Sequence, residues 1–177
     1  FAIRVTYDAC GRVVWWMDLA HVDVDTIRSL DPGDVRRFFI WFAHFLMFND
    51  GAQKNGIVFV NNFAHLRFWE FMTFLPLELG IKMDEFMICV VPLNTKLVVF
   101  LERPAWVDFG FALLSVFLKK EMKRRVLMVK RNRQQQSVED VVGGRQHVAL
   151  GFDGLIGTSG NDILKEYYDS LVQESGK

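Results

Sequence analysis

The chain has 177 residues, 51% of them hydrophobic and 14% aromatic, with seventeen Phe; that suits one domain with a sizeable core, with or without a tail. Basic and acidic side chains number 21 each, so no net field selects nucleic acid as a partner. The longest apolar runs, residues 38–48 and 104–118, are shorter than the roughly 20 residues that span a bilayer, and the only cysteines, Cys10 and Cys89, are too few for a disulfide scaffold or a zinc site and suit a reducing cytosolic compartment.

The chain opens on Phe1, and residues 1–14 lack the pattern of a signal peptide. They read as the start of a strand, as expected of a piece of a longer protein. A turn at Ala9-Cys10-Gly11 leads into a strand over residues 12–17 (RVVWWM). Asp31-Pro32 starts a helix, with Asp as N-cap and Pro at the first helical position. Val35, Phe38, Phe39, Phe42, Phe45 and Leu46 follow on one helical face, and Asn49-Asp50-Gly51 and Asn55-Gly56 end it. Residues 57–60 (IVFV) form a continuous apolar run, the mark of a strand buried on both faces.

Residues 68–79 read as a further helix interrupted by Pro76, and residues 97–101 (LVVFL) as a second buried strand. Pro104 opens a long helix to about Arg125, and residues 126–129 (VLMV) form a third short strand. Residues 131–137 are polar and loop-like, and Ser137 to Asp140 begin a short helix that Gly143-Gly144 stop. Ile163, Leu164, Tyr167, Tyr168 and Leu171 stand at helical spacing in a polar tail, so an amphipathic helix is expected there. Strands alternating with helices give an α/β domain whose sheet is mostly parallel.

No G-x-S-x-G elbow and no phosphate-binding G-x-x-x-x-G-K-[ST] loop is present. The four His lie in no metal-ligand spacing, and Gly151 to Gly157 reads as a plain turn without a lysine at the phosphate-loop position. Nothing nominates a catalytic pair, a metal site or a cofactor.

Residues 104–118 (PAWVDFGFALLSVFL) are apolar nearly all round, where a surface helix carries one polar face. Two readings stand. The helix is buried at the centre of the domain, or it covers an apolar cavity and meets a membrane when the cavity opens. Lys119, Lys120, Lys123, Arg124 and Arg125 follow it at once. Residues 119–133 hold eight basic residues and one acid, which leaves the rest of the chain at a net charge of −7. An apolar helix running into a basic cluster suits an anionic membrane surface; a basic C-terminus complementing the helix dipole is the plainer alternative. The cluster holds no aromatic on which a base could stack, which argues against nucleic acid.

From about Tyr7 to Gly157 the sequence resembles the CRAL-TRIO family of lipid-binding and lipid-transfer domains. Its best stretch is Val91-Pro92-Leu93-Asn94-Thr95-Lys96-Leu97-Val98-Val99-Phe100-Leu101-Glu102-Arg103-Pro104, followed without gaps by the apolar helix, the charged turn and Val126. Asn55 to Val60 is similar to the family's central strand, and Gly11-Arg12-Val13 to its opening. Asn62 stands where the family has Asp, His65 where it has Gly, Val91 where it has an aromatic, and Glu102 where it has Asn. Ser137 to Gly144 keeps the acids and the Gly-Gly pair of a late family segment but not its Leu-Pro, and the family's amino-terminal helical lobe is missing.

The resemblance implies a CRAL-TRIO-like lobe over residues 1–157, with the polar tail over 158–177. It implies an internal pocket closed by residues 104–118, for which Phe59, Phe100, Val107, Phe111 and Leu114 are the candidate lining. Lys96 and Arg125 stand where phosphoinositide-binding members carry basic residues, whereas Asn94 and Glu121 occupy two further such positions. The expected function is non-catalytic: binding, and exchange with membranes, of a hydrophobic small molecule or phospholipid by a cytoplasmic, peripherally docking protein. Lys96, Lys119, Lys120, Lys123, Arg124 and Arg125 are the candidate membrane residues. The rival reading is a ligand-free interaction or membrane-targeting module of a larger regulatory protein.

Overall fold

The computed structural model describes residues 2–19, 23–74, 94–116, 120–130, 133–149, 152 and 158–175. Strands β1 (Ala2–Tyr7) and β2 (Val13–Asp18) form an antiparallel hairpin. Its turn is held by the buried Asp8 carboxylate, which accepts from the Cys10 and Arg12 N–H groups and from Arg12 Nε at 2.5 Å. Three helices follow, each capped by a side chain that satisfies an orphan N–H. Asp23 caps α1 (Val24–Ser29), Asp31 caps α2 (Pro32–Phe48), and Asn49 caps α3 (Asp50–Asn55). Hydrogen bonds from the Thr26 hydroxyl and N–H hold the Asp23 carboxyl below its usual range.

Next come β3 (Ile57–Asn62), α4 (Phe68–Phe74), β4 (Thr95–Leu101), α5 (Ala105–Ser115), α6 (Lys120–Arg124), β5 (Val126–Met128) and α7 (Gln134–Val142). A short 3-10 turn, Arg145–His147, then β6 (Thr158–Ser159) and α8 (Gly160–Ser175) complete the described chain. The sheet order is β5-β4-β3-β2-β1-β6. The pairs from β2 to β5 are parallel, and β1 lies antiparallel between β2 and β6. The three apolar runs expected to be neighbouring strands are therefore adjacent and parallel, in a mostly parallel α/β sheet.

From β2 to β5 the strand order follows the chain without reversing, so right-handed crossovers put the connecting helices on one face. Alternation sorts the side chains accordingly. Val13, Trp15 and Ile57 pack against Phe42, Leu46 and Ala52 on the crossover side. Val14, Trp16, Val58, Val60, Val99 and Leu101 pack on the other face, against Val138, Val142 and Val148. Helix α8 rests on β1 and α2, where Tyr167 Oη and His44 Nδ1 share a hydrogen bond of 2.6 Å.

Two expected elements differ. The long helix from Pro104 to Arg125 is two helices: α5 stops at Ser115, whose hydroxyl donates to the Ala112 carbonyl at 2.9 Å and competes with helix continuation. The polar stretch 131–137 is not all loop, because α7 begins at Gln134. Gln136 reaches Asp140 across one turn at 2.9 Å, and Val138 and Val142 are buried, which together sustain the helix. It ends as expected, with Gly143 left-handed at φ 81°. Of the helix expected over residues 68–79, the part beyond Phe74 lies outside the described residues.

Two glycines give opposite expectations for the same substitution. Gly56 has φ 89°, and a Cβ there meets the Asn94 carbonyl oxygen at 2.4 Å. Gly110 lies inside α5 with open space around it. Gly56→Ala is expected to cost about 1–3 kcal/mol, and Gly110→Ala to gain about 0.5–1 kcal/mol, read as shifts in the urea midpoint.

Candidate functional site

The crossover face of the sheet carries an apolar surface that the helices cover only in part. Register aligns Trp15 with Phe59 and Val98, and Met17 with Asn61 and Phe100. Trp15 is buried, its ring 4.5 Å from that of Phe42 and 5.7 Å from that of Phe59. Phe59, Val98 and Phe100 are only half-buried, although β3 and β4 lie inside the sheet and not at its edge. Phe111 of α5, also half-buried, brings its ring within 6.4 Å of Phe100.

A second apolar group closes the neighbouring corner. Leu19, Phe63, Leu66 and Val107 are buried together, and Trp106 stacks 5.1 Å from Phe71 and 6.1 Å from Phe63. Among the expected lining residues, Phe100 and Phe111 therefore meet, Phe59 shares their face, and Val107 belongs to this corner cluster. Leu114 lies on α5, and its side chain is outside the description.

One polar atom in this region was not anticipated. Trp15 Nε1 is buried and has no hydrogen-bond partner among the described residues. A buried donor without a partner costs about 1–3 kcal/mol. No sequence motif announces it, because only the fold reveals which of two consecutive tryptophans finds an acceptor; Trp16 donates to Thr6 Oγ1 at 2.8 Å.

The basic residues separate by the two ends of the strands. Arg125 Nη1 donates to the Thr95 carbonyl at 2.9 Å, at the N-terminal ends of β4 and β5. Lys96 is exposed beside it, with its stem over Gly56. Lys120, Lys123 and Arg124 are exposed on α6, which feeds the same end of β5; Lys119 lies outside the described residues. Lys130 and Arg133 stand beyond the far end of β5. The stretch that reads as one basic run is thus divided by a strand.

At those C-terminal strand ends lies a cavity of about 690 Å³, lined by residues 64–68, by Glu102, Arg103, Pro104, Trp106 and Asp108, and by Val129 and Lys130. Arg67 grips Glu70 through Nε and Nη2, at 2.8 and 2.5 Å. That pairing holds the Glu70 carboxyl below its ordinary range and raises Arg67. Sequence reasoning did not assemble this cavity, since its walls come from loops far apart in the chain. The traces were His65, a departure from a glycine position, and Glu102, a departure from an asparagine position. Among the described residues no group of three His, Cys, Asp or Glu could hold a metal ion, and no helix is long and apolar enough to cross a membrane.

Residues 1–147 match the family model of the CRAL/TRIO domain. The structure is similar to the one described as "Crystal structure of Sfh5", with a TM-score of 0.53 and 11% sequence identity over 97% of this chain. This chain spans 64% of that chain's length. No curated protein matches the chain in sequence.

Proposed function

The chain belongs to the CRAL/TRIO family, whose members bind lipids and other small hydrophobic ligands, and from that premise we propose that it encloses one hydrophobic small molecule or phospholipid beneath α5. The observation that carries this reading is the half-buried apolar face of Phe59, Val98 and Phe100 on interior strands, facing Phe111. An apolar ligand placed there completes the burial, at about 25 cal/mol per Å² of apolar surface removed from water. The unpartnered Trp15 N–H supports a ligand with a hydroxyl or carbonyl near the Phe59 end. The mechanism is physical, with no bond made or broken, and ligand exchange requires α5 to move.

The proposed route of exchange is transient docking on a membrane by a cytoplasmic protein. Phe109 and Val116 of the α5 region are 69% and 74% exposed, and Trp69 of α4 is 76% exposed. These side chains are suited to insertion, and Lys120, Lys123 and Arg124 to approach, with Lys96, Lys119 and Arg125 adding to the same charge. Each basic residue near an anionic surface contributes about 1 kcal/mol. Vesicle binding is expected to rise with phosphatidylserine content and fall with salt as the Debye length shortens. Reversing Lys120, Lys123 and Arg124 to Glu is expected to weaken it by about a hundredfold or more, with the urea midpoint unchanged because exposed charges contribute little to stability. Salt-independent binding, or no vesicle binding at any phosphatidylserine content, favours the interaction-module reading instead.

A further inference from the structure

We propose that the cavity at the C-terminal ends of β3, β4 and β5 binds a phosphate monoester, free or as a lipid headgroup, with its organic part against Trp106 and Phe68. This site is distinct from the apolar face beneath α5 and does not rest on it. It is also distinct from Lys96 and Arg125, which stand at the opposite ends of the strands. Strand β4 has seven residues, so the two sites are roughly 20 Å apart at about 3.3 Å per residue.

Position and size are the first support. The volume of about 690 Å³ is that of a small-molecule site. The cavity lies beyond the carboxyl ends of β3, β4 and β5, the end of a parallel sheet at which open α/β folds take ligands, although the strand order does not reverse here.

Backbone strain is the second. Among the described residues, the only non-glycine residues with positive φ are His65 at 60° and Glu102 at 44°. Both line this cavity, on the loops that follow adjacent strands. Left-handed side-chain-bearing residues are costly and collect at ligand sites.

The third support is the set of donors. Arg103 is anchored through Nε to Asp108 and through Nη1 to the Val129 carbonyl, with its side chain 18% exposed. That leaves Nη2 without a partner among the described residues. The side chains of Lys130 and His65, both exposed, have no hydrogen-bond or ion-pair partner among the described residues. Asp108 is answered by Arg103, and Arg67 is committed to Glu70 with Nη1 to spare. Donors converging from three loops, with the cations Arg103 and Lys130 among them, match the three peripheral oxygens of a phosphate monoester better than the single plane of a carboxylate. Glu102 also lines the cavity, with a partner of its own, and its charge opposes an anion, which makes it a test of sign.

The test is calorimetric titration of the full chain with phenyl phosphate, inorganic phosphate and phenol, together with binding to phosphatidylcholine vesicles with and without phosphatidic acid. Phenyl phosphate is expected to bind more tightly than inorganic phosphate, and phenol not to bind. Lys130→Gln should weaken phenyl phosphate by on the order of tenfold, and Glu102→Gln should strengthen it. His65→Gly should raise Tm by relieving the positive φ while weakening phosphate binding, so a merely structural His65 is distinguishable. Binding of phenyl phosphate without a vesicle preference assigns a free ligand. A preference for phosphatidic acid that Lys130→Gln removes and Lys96→Ala leaves intact assigns a headgroup. The proposal is overturned if neither probe binds, or if Lys130→Gln and His65→Gly leave binding unchanged.

Discussion

A Phe111→Asp protein is expected to keep its fold and take up no fluorescent lipid from vesicles. Phe111 is half-buried, and its ring lies 6.4 Å from that of Phe100 beneath α5. A carboxylate there has to be desolvated when an apolar ligand enters, at a cost of several kcal/mol. Contact with the ligand is lost as well, at about 0.8 kcal/mol per methylene left unburied. Together these exceed the roughly 4 kcal/mol that separates micromolar from millimolar binding. Folding survives because α5 is held elsewhere, by buried Val107 and by Trp106, whose Nε1 donates to the Leu66 carbonyl at 3.1 Å. Phe111→Leu should retain uptake, and Phe109→Asp, on the outer face, should slow delivery from vesicles without removing ligand capacity. Normal uptake by a folded Phe111→Asp protein moves the ligand away from α5.

The largest expected loss of stability is at Trp16. Its side chain is fully buried on the face opposite the crossovers, with the Phe152 ring 5.0 Å away. Its indole N–H donates to Thr6 Oγ1 at 2.8 Å, and that hydroxyl donates to the His147 carbonyl at 3.2 Å. The chain of bonds ties β2 to β1 and to the turn after α7. Trp16→Ala is expected to cost about 3–5 kcal/mol from lost burial and the cavity left behind. That is a large part of the 5–15 kcal/mol typical of a domain. Trp16→Phe keeps most of the volume and should cost about 1–2 kcal/mol, from the lost bond and the half-satisfied Thr6. Equal urea midpoints for the two variants would mean that packing at Trp16 contributes little.

Elements whose cause is local were readable from the sequence. Asp31-Pro32 starts α2 because a side-chain acceptor and a fixed φ both favour helix there, and Gly143 ends α7 because the chain turns left-handed. The apolar runs at Ile57, Leu97 and Val126 betray strands, of which β3 is mostly buried and β4 and β5 largely half-buried, and their adjacency follows from crossover geometry. What was not legible depends on register and distance. A run such as IVFV does not say that Val58 and Val60 face α7 while Ile57 and Phe59 face the crossover helices; pairing with β2 decides it. Strand β6 has two residues and no signal of its own. Polarity made Gln134 to Gln136 read as loop, although glutamine is a good helix former once Val138 and Val142 are anchored. The basic stretch reads as one patch, yet β5 carries the chain roughly 10 Å across the sheet between Arg125 and Lys130. The second cavity needs residues from positions 64 to 130 to converge, which no window of sequence contains.

Native mass spectrometry of the chain purified from cells tests the lipid-enclosing reading most directly. The expected result is a population heavier than the chain by the mass of one hydrophobic molecule, released on denaturation and extractable into organic solvent, and depleted in Phe111→Asp. The chain mass alone, unchanged after incubation with mixed-lipid vesicles, would contradict it.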